Sequence, residues 1–246
     1  MTIDLAGSDL FFSQAQDEAF AINDCQNLTL ENCSIDYMTL PVTQLVVQTI
    51  LSSSQITVTP EPVGGAQTPY VDVCQLSQTQ PGAGLYGFDF RNGRVLYNTG
   101  RWTIQQPTAP CSTLTLQGAD TSLIQVGDVL EVEARGGGPA IWVDTSSNIS
   151  LKKIAIYSSG GVGIITNYSP GVSIQNVSIV PRPGTNRLVS TNAGGIAVNQ
   201  TAANNTILNC TIVELRTTRF QGIPLALVTP KLRFRRARLP LLLPSH

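Results

Sequence analysis

Between Gly138 and Leu215 apolar and polar positions alternate in short runs, and the runs recur. Lys152-Lys153-Ile154-Ala155-Ile156-Tyr157 aligns with Gln175-Asn176-Val177-Ser178-Ile179-Val180 at an offset of 23 residues, and that run aligns with Leu208-Asn209-Cys210-Thr211-Ile212-Val213 at an offset of 33. A second strand recurs between them: Ala140-Ile141-Trp142-Val143-Asp144, then Gly163-Ile164-Ile165-Thr166-Asn167, then Gly195-Ile196-Ala197-Val198-Asn199. Alternation with a period of two marks a strand with one buried face. Recurrence in the twenties, with Asn and Gly at the corners, predicts a parallel β-solenoid over 138–215, in which each coil buries its apolar face on the next. The ten extra residues of the middle coil must leave the stack as a loop, Pro181-Arg182-Pro183-Gly184-Thr185-Asn186-Arg187, running toward Ser190-Thr191-Asn192-Ala193-Gly194-Gly195.

Residues 1–37 carry the same pattern. Asp9-Leu10-Phe11-Phe12 and Ala19-Phe20-Ala21-Ile22 precede Asn27-Leu28-Thr29-Leu30-Glu31-Asn32-Cys33-Ser34-Ile35-Asp36, which matches the later strands. The chain is expected to begin mid-solenoid without a capping helix, which exposes a strand edge. The period vanishes over 38–137, which reads as an inserted antiparallel β domain, a small barrel or sandwich. Its strands include Gln44–Ile50 and Gln55–Thr59 about a Ser-rich turn, and Phe88–Arg91 and Arg94–Tyr97 about Asn92-Gly93, a strong hairpin signal. Ser112–Leu116 and Asp128–Ala134 complete it, and no segment has a sustained helical period. Residues 216–246 have neither coil spacing nor Asn or Asp corners and are expected to be a disordered, aberrant tail, from a frameshifted or misjoined reading.

Composition sharpens this picture. Charged residues are 13% of the chain, against roughly 25% in globular proteins, which suits stacked strands with uncharged ladders. The net charge of −1 hides an asymmetry: residues 1–215 hold all 16 acidic groups and 8 basic ones, while 216–246 hold 7 basic groups and no acidic one. The prolines and Leu-rich end make that tail a poor match to a solvated basic arm, so no nucleic-acid partner is expected. The only histidine is His246, which removes Ser-His-Asp, Cys-His and histidine-metal chemistry. Cys25, Cys33, Cys74, Cys111 and Cys210 form no Cys-x-x-Cys, so no metal or redox motif is expected. Buried free thiols are the simplest account, with Cys74 and Cys111 the candidates for a disulfide. No N-terminal signal and no stretch near the ~18 apolar residues of a membrane span is present.

Two motifs have bland explanations. Gly82-Ala83-Gly84-Leu85-Tyr86-Gly87 matches a dinucleotide fingerprint, but Gln78-Thr79-Gln80-Pro81 precedes it and a hairpin follows, so a loop is the better account and no cofactor is expected. Eight Asn-x-Ser/Thr sequons begin at Asn27, Asn32, Asn148, Asn167, Asn176, Asn199, Asn204 and Asn209. Alternating Asn, Ser and Thr in a solenoid produces them by pattern, without glycosylation.

A long solenoid offers a groove beside its strands, and glycoside hydrolysis there needs two carboxylates. Between Thr145 and Val213 there is no Asp or Glu, so carboxylates must come from elsewhere. Asp36, Asp128 and Asp144 are the catalytic candidates, with Glu131, Glu133 and Glu214 further off; the charges of the 128–133 strand also read as a solvated face. Trp142, beside Asp144, suits a sugar-stacking platform or the core. Arg182 and Arg187 suit forked hydrogen bonds to sugar hydroxyls or carboxylates, or plain solvation on a loop. Asn192 reads as a groove residue or a rung of an asparagine ladder.

The order Asn27-Leu28-Thr29-Leu30, Ser34-Ile35-Asp36-Tyr37, Gly127-Asp128-Val129, Tyr157-Ser158-Ser159, Val180-Pro181-Arg182-Pro183-Gly184-Thr185 and Ser190-Thr191-Asn192-Ala193 resembles the pectin-lyase-like right-handed parallel β-helix proteins. Within them it is most similar to glycoside hydrolase family 110, the α-1,3-galactosidases, over roughly residues 3–214. That resemblance implies an inverting hydrolase of terminal α-galactose, an oligosaccharide or polysaccharide partner, a β-barrel insertion and an extracytoplasmic home. The family pattern places an Asp directly after Ser-Thr-Asn-Ala, where this chain has Gly194. It places an Asp-Asp pair past the next coil strand, where this chain reads Arg216-Thr217-Thr218. A threonine hydroxyl does not ionise near neutral pH, and losing a general acid or base typically costs about 10²–10⁴-fold in rate. The expectation is a truncated, inactive relative; the alternative is a non-catalytic glycan-binding or structural β-helix protein.

Overall fold

A computed structural model describes residues 1–14, 17–61, 84–91, 94–96, 101–104, 114–118, 121–133, 137–199, 203–213 and 233–234. Among them there is no α-helix, only one short 3-10 turn at Thr121–Leu123, and so no helix long and apolar enough to cross a membrane. The strands, numbered in chain order, form three sheets. The chain divides into two compact units. One holds Met1–Val42 and the described part of Glu133–Arg235; the other holds Thr43–Glu61 and the described part of Asp72–Val132.

The first unit contains two parallel sheets. One runs β1 (Thr2–Gln14), β3 (Thr29–Thr39), β12 (Ser150–Ile156), β15 (Ser178–Ile179), β18 (Thr211–Ile212) and β19 (Arg233–Phe234). In the same sheet β14 (Ser173–Gln175) pairs with β12 and with β17 (Thr206–Leu208). The other runs β2 (Phe20–Asn23), β11 (Ile141–Asp144), β13 (Ile164–Asn167) and β16 (Ile196–Asn199). The pairing register follows the offsets legible in the sequence: Ile141 opposes Ile164 and Leu151 opposes Ile174, each 23 residues on, and Ile174 opposes Ile207, 33 on. The extra length of that layer is divided. Ile156 to Ile164 is eight residues and Ile179 to Ile196 is seventeen, so nine of the ten added residues leave the stack there and one follows β16.

Alternation decides what is buried. Ile22, Ile141, Val143, Ile164 and Ile196 from one sheet meet Leu30, Ile35, Leu151, Ile154 and Ile156 from the other in a single core. Each such side chain contributes ~1.5–3 kcal/mol by leaving water. The strands are separated by left-handed corners that stack in columns. Asn27 (φ 55°), Asn148 (φ 54°), Gly171 (φ 71°) and Asn204 (φ 63°) form one; Asn32 (φ 60°), Lys153 (φ 50°), Asn176 (φ 54°) and Asn209 (φ 53°) form another. Asparagine tolerates this region because its short amide bonds locally. Asn148 Nδ2 donates to Asn27 Oδ1 at 3.2 Å, and a Cβ at Gly171 would lie 2.7 Å from Asn148 Oδ1, so the glycine makes room for the ladder. Six of the eight sequon asparagines are thus corner residues, while Asn167 and Asn199 end strands.

The second unit holds an antiparallel sheet ordered β10 (Val129–Glu133), β4 (Val42–Ser52), β5 (Gln55–Glu61), β9 (Leu114–Gly118), β8 (Arg101–Ile104), β6 (Gly84–Arg91) and β7 (Arg94–Leu96). An additional pairing of β10 with β6 returns the order on itself. Gly84–Gly87, four of the six residues of the dinucleotide-like motif, are strand residues of β6. Asn92-Gly93, Cys74, Cys111, Glu214 and, except for Arg233–Phe234, the tail 216–246 lie outside the described residues. Cys33 and Cys210 are buried free thiols, as expected, but Cys25 is only half-buried. Burial pushes the Cys33 thiol up to about 11 and raises that of Cys210.

Candidate functional site

The outward face of the β1–β3–β12 sheet positions the main cluster. Outward positions on neighbouring strands align, so Phe11 of β1 stands beside Asp36 of β3, and Ile35 pairs with Ile156 just before Tyr157. Asp36 would be exposed on a bare sheet. It is instead fully buried beneath the 181–193 loop, whose arginines close over it. Arg187 Nη1 donates to Asp36 Oδ1 at 2.8 Å and to Oδ2 at 3.0 Å. Arg182 Nη1 donates to Asp36 Oδ2 at 3.1 Å, and the Tyr37 backbone N–H donates to Oδ1 at 2.9 Å. A buried carboxylate needs such pairing, because leaving it bare costs several kcal/mol.

Arg182 is held on every side. Its Nη2 donates to Asp9 Oδ2 at 3.1 Å, and its guanidinium carbon lies 4.8 Å from the Phe11 ring centroid and 5.0 Å from that of Tyr157. Asp9 also accepts from Ser34 Oγ, which with Arg182 keeps its carboxyl below the usual range. The sequence-derived reading missed Asp9, Phe11 and Tyr157 as site residues. Their signal was the outward phase of Asp9-Leu10-Phe11 and of Ala155-Ile156-Tyr157.

Farther along the loop, Ser159 anchors the chain. Its N–H donates to Ser190 O at 2.9 Å, its carbonyl accepts from Asn192 N–H at 3.3 Å, and Ser159 pairs with Thr191 as an isolated bridge. The loop is therefore pinned at both ends. The pinning residues themselves carry polar atoms with no hydrogen-bond partner among the described residues: Nε and Nη2 of Arg187, Oγ of Ser190 and both amide atoms of Asn192. Arg187, Ser190 and Asn192 are 6%, 2% and 8% exposed. Each orphaned buried group costs ~1–3 kcal/mol, so this arrangement opposes folding and calls for another role.

The remaining candidates lie elsewhere. Trp142 and Asp144 share the outward face of β11; Trp142 is half-buried and outside the core, between Ala21 and Ile165 in register. Asp144 stands between Asn23 and Asn167, with Oδ1 buried and without a partner among the described residues. Asp128 belongs to the second unit. Arg91 grips it through Nε at 2.8 Å and Nη2 at 2.7 Å, and the Gln125 N–H donates to it at 2.7 Å. The expected solvated face is not what forms there, because Asp128 and Glu131 are both buried. Asp128 organises the turn before β10, while Asp36, Arg182 and Arg187 come together and Asp144 and Trp142 form a separate pair.

No family model matches the chain. A stretch of 114 residues, 44% of the chain, is 32% identical to alpha-1,3-galactosidase A of Shewanella woodyi and corresponds to 19% of that protein. A stretch of 206 residues, 77% of the chain, is 26% identical to alpha-1,3-galactosidase B of Bacteroides thetaiotaomicron and corresponds to 32% of it. The chain thus spans a third or less of the length of these relatives, and its likeness to α-1,3-galactosidases is distant.

Proposed function

We propose that this chain is a carbohydrate-active protein of the glycoside-hydrolase kind that holds glycans ending in α-linked galactose without cleaving them. The carrying observation is that both relatives are alpha-1,3-galactosidases and that one alignment takes in 77% of the chain. On this reading the two parallel sheets are faces of a right-handed parallel β-helix of the pectin-lyase type, with residues 38–137 as an inserted domain and an extracytoplasmic home. The 181–193 loop supports it chemically. Sugar hydroxyls both donate and accept, the partners that the buried Arg187 Nε and Nη2, Ser190 Oγ and Asn192 amide would gain on a shift of the loop that admits a ligand.

Cleavage needs a free acid and a free base, about 6.5–9.5 Å apart for inversion. Asp36 has both oxygens engaged by arginines, and Asp128 has both engaged by Arg91 and Gln125. The residue after Ser190-Thr191-Asn192-Ala193 is Gly194, with no side chain to carry a proton. Hydrolysis of p-nitrophenyl α-galactoside and α-1,3-linked galactobiose by the purified chain tests this. Binding of the disaccharide without turnover is expected. One observation favours a second reading, an active glycosidase: Asp144, on the same face of β11 as Trp142, keeps an oxygen with no partner among the described residues. Turnover that disappears in Asp144→Asn would establish that reading and sink the first.

A further inference from the structure

A groove of about 500 Å³ opens on the outward face of the β1–β3–β12 sheet. Its floor is small, Ser34 and Ala155, and its rim carries Asp4, Asp9, Lys153 and Tyr157. Its shape comes from a bulge. Asp4 pairs with Glu31 and Ser8 with Cys33, so three residues of β1 oppose Asn32 alone. Ala6 (φ 52°) and Gly7 (φ 79°) turn left-handed there and interrupt the pairing of β1 with β3. Bulges re-aim neighbouring side chains, and here Asp4 is fixed. Its Oδ1 accepts from Asn32 Nδ2 at 2.8 Å and from Ala6 N–H at 2.9 Å, which with Lys153 nearby keeps the carboxyl below the usual range. Its Oδ2 has no partner among the described residues.

A second, independent feature points to the same place. In the corner column of Asn32, Lys153, Asn176 and Asn209, lysine alone departs from asparagine, although all four have left-handed φ. Lysine has no short side-chain amide to offset that conformation. Backbone strain of this kind persists where something else requires the residue. Lys153 and Asn32 are the two members of the column that line the groove, and Lys153 is close enough to Asp4 for its charge to act on that carboxyl.

We propose that this groove, which adjoins the Arg182 end of the 181–193 loop and lies apart from Trp142, is a saccharide-binding subsite that takes one neutral pyranose unit. Asp4 Oδ2 accepts from one hydroxyl and Lys153 Nζ donates to its neighbour, the pairing that adjacent sugar hydroxyls offer. Tyr157, braced by Arg182 5.0 Å from its ring centroid, forms the apolar wall. Two carboxylates, Lys153 and Arg182 balance in charge, which favours a neutral ligand over an anion or a metal cation. The proposal rests on the reading of this chain as a carbohydrate-binding protein.

The test is an NMR titration of the full chain with α-1,3-linked galactobiose and a panel of neutral oligosaccharides, read at the Ala155 methyl and Tyr157 ring signals. At least one glycan should shift both. Ala155→Leu, which fills the floor, should weaken that response at least tenfold with melting unchanged, and Asp4→Asn should weaken it as much with a small fall in melting temperature at neutral pH, since the depressed carboxyl stabilises the fold there. Lys153→Asn should weaken it similarly while raising the melting temperature, a split that a merely structural lysine would not give. A glycan that shifts only signals elsewhere, or that binds Ala155→Leu and wild type alike, would overturn the groove and leave the carbohydrate reading intact. A folded chain that binds no glycan at all would overturn both.

Discussion

Arg187 and Asp36 are 151 residues apart in sequence and share a contact in which one guanidinium nitrogen reaches both carboxylate oxygens, at 2.8 and 3.0 Å. Their side chains are 1% and 0% exposed. The contact ties the loop before β16 to β3, so loop geometry depends on a charge buried in the sheet. Asp36→Asn leaves Arg187 uncompensated and should cost about 3–5 kcal/mol. The double change Asp36→Leu with Arg187→Met removes both charges and should recover most of that loss. Urea titrations of the three proteins check it; equal stability of the single and double variants would show that the pair does not act as a unit.

Close backbone approach makes a second prediction. A Cβ at Gly163 would lie 2.7 Å from the Gly195 carbonyl oxygen and 2.7 Å from Ile179 Cδ1. Backbone cannot yield as a flexible side chain does, so Gly163→Ala should destabilise by about 1–3 kcal/mol. Thermal melting measures this, with the exposed-loop change Pro183→Ala as a comparison expected to be nearly silent.

Asp9 gives a pH signature. Hydrogen bonds from Ser34 and Arg182 hold its carboxyl below the ordinary value of 3.8. A depressed folded value means that its stabilising contribution is full above 3.8 and is lost as pH falls through the depressed value. Melting curves of wild type and Asp9→Asn should differ at neutral pH and converge in acid below that value. Curves that stay parallel down to pH ~2 would contradict the sign of the shift.

Thiol reactivity should rank the described cysteines. Cys25 is half-buried, whereas Cys33 is buried with its thiol pushed up to about 11 and Cys210 is buried with its thiol raised. The thiolate is the reacting form. Iodoacetamide at pH 8 followed by peptide mapping should modify Cys25 first and reach Cys33 and Cys210 only on unfolding.

Strand pairing was readable from the chain because a period of two and an offset of 23 place the same residue types in register, as Ile141 with Ile164 and Leu151 with Ile174. The divided extra length was not, since spacing alone does not say on which side of β16 a residue leaves the stack. The candidate site was half legible. Arg182, Arg187 and Asp36 stand out by type, yet nothing local reveals that the arginines grip the aspartate rather than solvent. The insertion and two further layers separate them, so their meeting is a tertiary event. Lys153 left a trace: it aligns with Asn176 and Asn209, and its departure from asparagine acquires meaning only once the corner is known to be left-handed.

The recurring corners have an evolutionary and mechanical consequence. Because Asn27, Asn148, Gly171 and Asn204 bend the backbone in the same way at the same place, one layer can be duplicated or deleted without re-registering the layers on either side. The chain can therefore lengthen in whole units, while irregular additions are shed sideways, as between Ile179 and Ile196, where new side chains can vary without loading the stack.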